Sequence, residues 1–260
     1  MNRKPIAFFD SGVGGLTVLD KVKRILPNEN YLYFGDLKNS PYGEKSTEEL
    51  IQIADEIFRF FENKGAKAVV MACNTTSANT YEILKDKYKF KIYPIIQSCA
   101  EVIAQLPVKK IGVFATEATI RSGVYKQELK KHSPDLEVFE MSCPPWVQIV
   151  EQGLQNDPAS ITCVQAYLEK MLKNKPKKII LGCTHYPYLL DILEKFVSRE
   201  IFVDPAEYFA ELIKEDLTLN NLLNFENKGS EQFFVSANPE GFKKASSIFY
   251  KLKGLPSLYS

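Results

Sequence analysis

"AKAVVMACNTTSANTYEIL", residues 66–84, changes character at its centre. Residues 66–73 form a short apolar run that closes on Cys73. The polar NTTSAN that follows opens a helical stretch running on through "YEILKDKY". Such a run is short enough for a buried strand and too short for a buried helix. The stretch therefore predicts a strand, a cysteine at its carboxyl end, and a helix. The same pattern returns 110 residues later in "KIILGCTHYPYL", residues 178–189, centred on Cys183, with Pro187 suited to the first turn of a helix.

Apolar runs at 6–10, 30–36, 66–73, 90–96, 110–116, 136–141, 177–183 and 200–204 read as strands separated by helical stretches. The best-marked helix is "STEELIQIADEIFRFFENKGA", 46–66. Ser46 and Glu49 form a capping box, Leu50, Ile53, Ile57, Phe58 and Phe61 recur at helical spacing, and Gly65 is placed to end it. Strand–helix alternation predicts an α/β protein of mostly parallel sheets flanked by helices. "FFDSG" at 8–12 is echoed by "VFATEAT" at 113–119, at nearly the offset of the two cysteines. The echo predicts two pseudo-symmetric domains with the active site in the cleft between them.

Composition narrows the function classes. The chain has 260 residues, 45% hydrophobic and 25% charged, and a net charge of +1. That balance argues against nucleic acid or a membrane surface as the main partner. No apolar stretch approaches bilayer-spanning length, which with the cysteine pattern predicts a cytoplasmic protein. The five cysteines show no C-x-x-C pair and are odd in number, which argues against a disulfide framework. His132 and His185 have no metal-ligand spacing to cysteines or acidic clusters, which argues against structural zinc.

Ligands in parallel sheets bind at the carboxyl ends of strands, here Asp10, Asp36, Cys73, Thr116 and Cys183. Turn formation accounts for Asp36, but cysteine is not a turn former. A helix N-terminus beside each thiol would lower its pKa. The free N–H groups there, with Asn74, Thr75, Thr76 and Thr184, would hold a carboxylate. Cys99, Cys143 and Cys163 read as core filling. Two facing thiols suit removal of a proton from one face of a carbon and its return on the other. A nucleophilic Cys183 with His185 as base is the alternative, and it leaves Cys73 unexplained. "GVGG" at 12–15 lacks the lysine of a phosphate-binding P-loop.

"FFDSGVGGLTVL", "PYGEKS", "ACNTTSA", "VEQG" and "LGCTHYP" together resemble glutamate racemase, the cofactor-independent enzyme that supplies D-glutamate for bacterial peptidoglycan. "QFFVSANPEGFKKAS", 232–246, looks like the family's C-terminal strand and helix. The resemblance implies Cys73 and Cys183 as the catalytic pair, acting on the D- and L-enantiomer respectively. It implies Asp10 beside Cys73, His185 beside Cys183, and Glu151 as a further acidic residue. Ser11, Pro41, Tyr42 and Gly43 would receive the side-chain carboxylate, and Asn74, Thr75, Thr116 and Thr119 the α-carboxylate. Asp10 and Thr184 would lie near the amino group. No cofactor or metal is implied; the partner is a small molecule, L- or D-glutamate, and a homodimer is among the assemblies left open. The expected division is 1–96 with 207–260 as one domain and 97–206 as the other. An aspartate racemase, or a binding module of the same fold, are the rival readings. Ala115, Pro145, Trp146 and Gln148 depart from the family pattern without touching the proposed proton carriers.

Overall fold

A computed structural model describes residues 3–225, 229–247 and 250–259. In chain order its elements are β1 (Ile6–Asp10), α1 (Leu16–Ile25), β2 (Tyr31–Gly35), α2 (Thr47–Asn63), β3 (Ala68–Met71), α3 (Asn74–Leu84), β4 (Lys91–Pro94) and α4 (Ile95–Ala104). Next come β5 (Lys110–Ala115), α5 (Glu117–Ser122), α6 (Val124–His132), β6 (Glu137–Ser142), α7 (Pro144–Glu151), α8 (Pro158–Leu172), β7 (Lys178–Gly182) and α9 (Leu190–Leu193). The last are β8 (Phe202–Val203), α10 (Pro205–Leu219), β9 (Glu231–Val235), α11 (Pro239–Ser246) and β10 (Ser257–Leu258).

The strands form two sheets, ordered β10-β9-β2-β1-β3-β4 and β6-β5-β7-β8. Every strand pair is parallel. The internal echo is a repeat of topology: the order 2-1-3-4 of the first four strands recurs as 6-5-7-8. In each half the chain lays down a central strand, adds one neighbour, and then crosses to the other side. The carboxyl ends of β1 and β5 are therefore switch points, where crevices form. Asp10 ends β1 and Thr116 follows β5; Cys73 and Cys183 follow the adjacent strands β3 and β7. After β8 the chain returns through α10 to the first sheet, which gains β9 and β10.

Alternation along the strands separates three apolar layers. Ala7 and Phe9 point to a cluster with Leu50, Phe58 and Phe61 of α2. Ile6 and Phe8 point the other way, into a cluster that also takes Ile111 and Val113 of β5, Ile96 of α4, and Phe209 and Ile213 of α10. That middle layer is common to both sheets. The third, with Phe114, Trp146, Leu181 and Tyr186, covers the outer face of the second sheet.

Local signals act as the sequence predicts at α2: Ser46 and Glu49 make both arms of the capping box, and Gly65 leaves the helix at φ +70. After Cys183 the expected continuous helix is absent. Tyr186–Leu189 is a 3-10 turn and α9 is only 4 residues long. Pro187 has no N–H, so no α-type bond can reach back to the Cys183 carbonyl, which instead accepts from the Tyr186 N–H at 3.0 Å.

Candidate active site

A cavity of about 430 Å³ lies between the carboxyl ends of the two sheets. The β1–α1 loop, residues 40–44, and Cys73–Thr75 form one wall; Thr116, Glu117, one face of α7, and Cys183–His185 form the other. Both thiols line it. Among the described residues no lysine or arginine lines it, so its donors are hydroxyls, amides, backbone N–H groups and the His185 ring.

The first wall is built at two strand ends. Cys73 is the N-cap of α3, and its N–H reaches the Phe9 carbonyl at 3.4 Å, tying β3 to β1. Asn74 accepts from the Tyr125 hydroxyl at 2.6 Å through Oδ1, which leaves its amide N–H groups as the donors it can present. The hydroxyls of Thr75 and Thr116 are 2.9 Å apart, and those of Thr116 and Thr119 are 3.0 Å apart. These threonines join the two walls. Tyr42 donates to the Asp36 carboxylate, which also receives Asn39 and the Ser236 hydroxyl.

The second wall carries a chain of polar contacts. Cys183 Sγ is 3.7 Å from His185 Nδ1, and His185 Nε2 is 3.2 Å from Glu151 Oε1. Burial opposes the charged form of His185, but the contacts with Cys183 and Glu151 outweigh it and raise the pKa well above the usual histidine range. Close approach of glycine backbone makes the wall contacts possible. A Cβ on Gly14 would stand 2.3 Å from Thr184 Oγ1 and 2.9 Å from the His185 ring; one on Gly15 would stand 2.5 Å from Asp10 Cβ. "GVGG" thus lets β1 meet the opposite wall, and is not a phosphate cradle.

Residues 14–213 match the Asp/Glu/Hydantoin racemase family. The chain belongs to that family. It is 40% identical over 250 residues to glutamate racemase 2 of Caldanaerobacter subterraneus subsp. tengcongensis, covering 95% of this chain and 94% of the relative. It is 40% identical over 245 residues to the glutamate racemase of Carboxydothermus hydrogenoformans, covering 94% and 91%. The crystal structure of glutamate racemase from Francisella tularensis subsp. tularensis SCHU S4 in complex with D-glutamate superposes with a TM-score of 0.92. There the identity is 30%, covering 100% of this chain and 98% of that one.

Within this racemase framework, the residues singled out by sequence divide into two sets. Ser11, Pro41, Tyr42, Gly43, Cys73, Asn74, Thr75, Thr116, Glu151, Cys183, Thr184 and His185 all line the cavity. Asp10 and Thr119 are fully buried and stand behind it. Asp10 accepts from the Gly12 N–H at 3.0 Å and the Thr184 hydroxyl at 3.2 Å, and burial raises its pKa despite these donors and the nearby His185 charge. The expectation that the helix N-terminus lowers the Cys73 pKa is overturned. Burial first, and then the charge of Asp10, push that thiol up to about 12, outweighing the Thr76 N–H and hydroxyl. A dipole of half a charge does not offset removal of the thiolate from water.

Residues that sequence reasoning missed also line the cavity: Leu37, Glu44, Glu117, Val147, and Asn238 and Gly241 of the C-terminal segment. The helix-start pattern of "NPEG" was a usable signal, since the Asn238 side chain caps α11 by accepting from the Gly241 N–H. Trp146 is fully buried against Phe114, Tyr167 and Tyr186 and serves the core. The five cysteines are free thiols, and Cys99, Cys143 and Cys163 lie off the cavity. Among the described residues no helix is long and apolar enough to cross a membrane.

Proposed function

We propose that this chain interconverts L- and D-glutamate by proton transfer between two cysteines, without a cofactor. The observation that carries this is the arrangement of Cys73 and Cys183, each following a parallel strand of a different sheet, in opposite walls of one cavity. The relatives named glutamate racemase supply the substrate. One cysteine, as thiolate, takes the α-proton. The opposite thiol delivers a proton to the other face, and the two protonation states are exchanged by each inversion.

Burial keeps Cys73 protonated at neutral pH, so it rests as the acid. His185, against Cys183, is placed to accept the thiol proton there and activate that sulfur as the base. The resting protein is then set for L-glutamate, with Cys183 removing the proton and Cys73 returning one. Glu151 orients and supports His185. Ser11 and the backbone N–H groups of Tyr42 and Gly43 receive the side-chain carboxylate, with Pro41 beside them in the cavity lining. Asn74, Thr75 and Thr116 receive the α-carboxylate, with Thr119 acting through Thr116. Asp10 serves from behind Thr184, near the amino group. Preorganised neutral donors at helix ends stabilise the carboxylates and the developing charge at Cα.

We further infer that 1–96 with 207–260 form one domain and 97–206 the other. In the cell, the reaction serves cytoplasmic supply of D-glutamate for peptidoglycan. The reaction is tested by incubating the protein with D- or L-glutamate in deuterated water with no cofactor. Deuterium at Cα and inversion in both directions are expected. Folded protein that gives neither contradicts the proposal.

A further inference from the structure

Residues 40–44 line the cavity on its first wall, and Lys45 carries the segment on towards α2. Tyr42–Glu44 make a single turn, closed by the Lys45 N–H to the Tyr42 carbonyl at 3.2 Å. On its own side the segment is held at both ends, by Tyr42 on the buried Asp36 and by the Ser46 cap of α2. On the far side both contacts come from α5. A Cβ on Gly43 would lie 3.2 Å from Thr116 Cβ, at the start of that helix. Arg121, in its last turn, donates through Nη2 to the Lys45 carbonyl at 2.9 Å. The Gly43 contact has no directional bond. Glu44 and Glu117 line the cavity from the two sides with like charge, which opposes closing. The guanidinium is the directional link, and it reaches the segment from α5 although neither lysine nor arginine is among the described lining residues.

We propose that Arg121 is a positioning residue for this reaction: its bond to Lys45 latches segment 40–45 to α5 on the facing wall and so holds Tyr42 and Gly43 against bound substrate. The kinetic part rests on the glutamate reading; the structural part does not. A latch made equally in the ground and transition states acts on binding and leaves the chemical step alone.

The test compares wild type with Arg121→Ala and Arg121→Lys. For Arg121→Ala, KM for both enantiomers should rise roughly three- to tenfold, as loss of one exposed charge-assisted hydrogen bond implies, with kcat within about twofold. Without any ligand, amide hydrogen exchange at 42–46 should quicken while α2 beyond 50 keeps its protection. Arg121→Lys should restore part of both effects, because an ammonium can still donate to a single carbonyl. Unchanged exchange at 42–46 in Arg121→Ala overturns the latch. So does a loss confined to kcat, or an unchanged KM. If wild type fails to invert glutamate, the functional proposal falls, and the exchange measurement still decides the latch.

Discussion

Asp10 is fully buried near the Cys73 thiol, and its two effects can be separated by one substitution. Its pKa is raised in the folded protein, so its carboxyl holds its proton more tightly folded than unfolded. The stability it supports is present below the unfolded value of 3.8 and is lost as pH rises through the folded one. Asp10→Asn removes that loss. The melting temperature of the variant relative to wild type should therefore improve between about pH 4 and pH 7. A relative melting temperature that falls over this range contradicts the assignment. The same change removes the second cause of the raised Cys73 pKa, so Cys73 should alkylate faster at mildly alkaline pH. Some of this was legible in sequence. Cys73 and Cys183 stood out because turn formation explains aspartate, serine and glycine at strand ends but not cysteine. Asp36 did not stand out, for the same reason: a turn accounts for it, and its role under Tyr42 depends on Ser236, 200 residues away.

At the scale of elements, the β1–α1 loop is a tight joint. Gly14 lies where any side chain would strike Thr184 and His185. Gly14→Ala should cost about 1–3 kcal/mol of stability by overpacking. By displacing His185 from Cys183 it should lower activity by about 10²-fold. Wild-type kcat/KM in the folded variant would show that this approach is not needed. Strands, α2 and its capping box were readable because they rest on local periodicity and on side chains three residues apart. β10 was not: it is two exposed residues, and only its pairing with β9 makes it a strand. The break after Cys183 was open to the same misreading, since proline at a helix start and proline in a 3-10 turn share one sequence signal.

At the scale of the molecule, the two sheets repeat one topology, and each has an outer apolar layer of its own while the middle layer is shared. The middle apolar layer runs from Ile6 and Phe8 of β1 through α4 and α10 to Ile111 and Val113 of β5. Burial shared in this way couples the halves, so thermal unfolding should be a single transition with calorimetric and van't Hoff enthalpies that agree. Two resolved transitions would mean that each half is stable without the layer they share. The repeat was faint in sequence because many different aliphatic residues fill a buried strand, whereas the cleft-facing residues Cys73 and Cys183 recur as the same residue type. Inversion of D- and L-glutamate by Cys73→Ala and Cys183→Ala, measured beside wild type, tests the two-cysteine mechanism. Wild type should invert both enantiomers, and each variant, missing the proton carrier on one face, should invert neither. Inversion at the wild-type rate by either variant would contradict the two-cysteine mechanism.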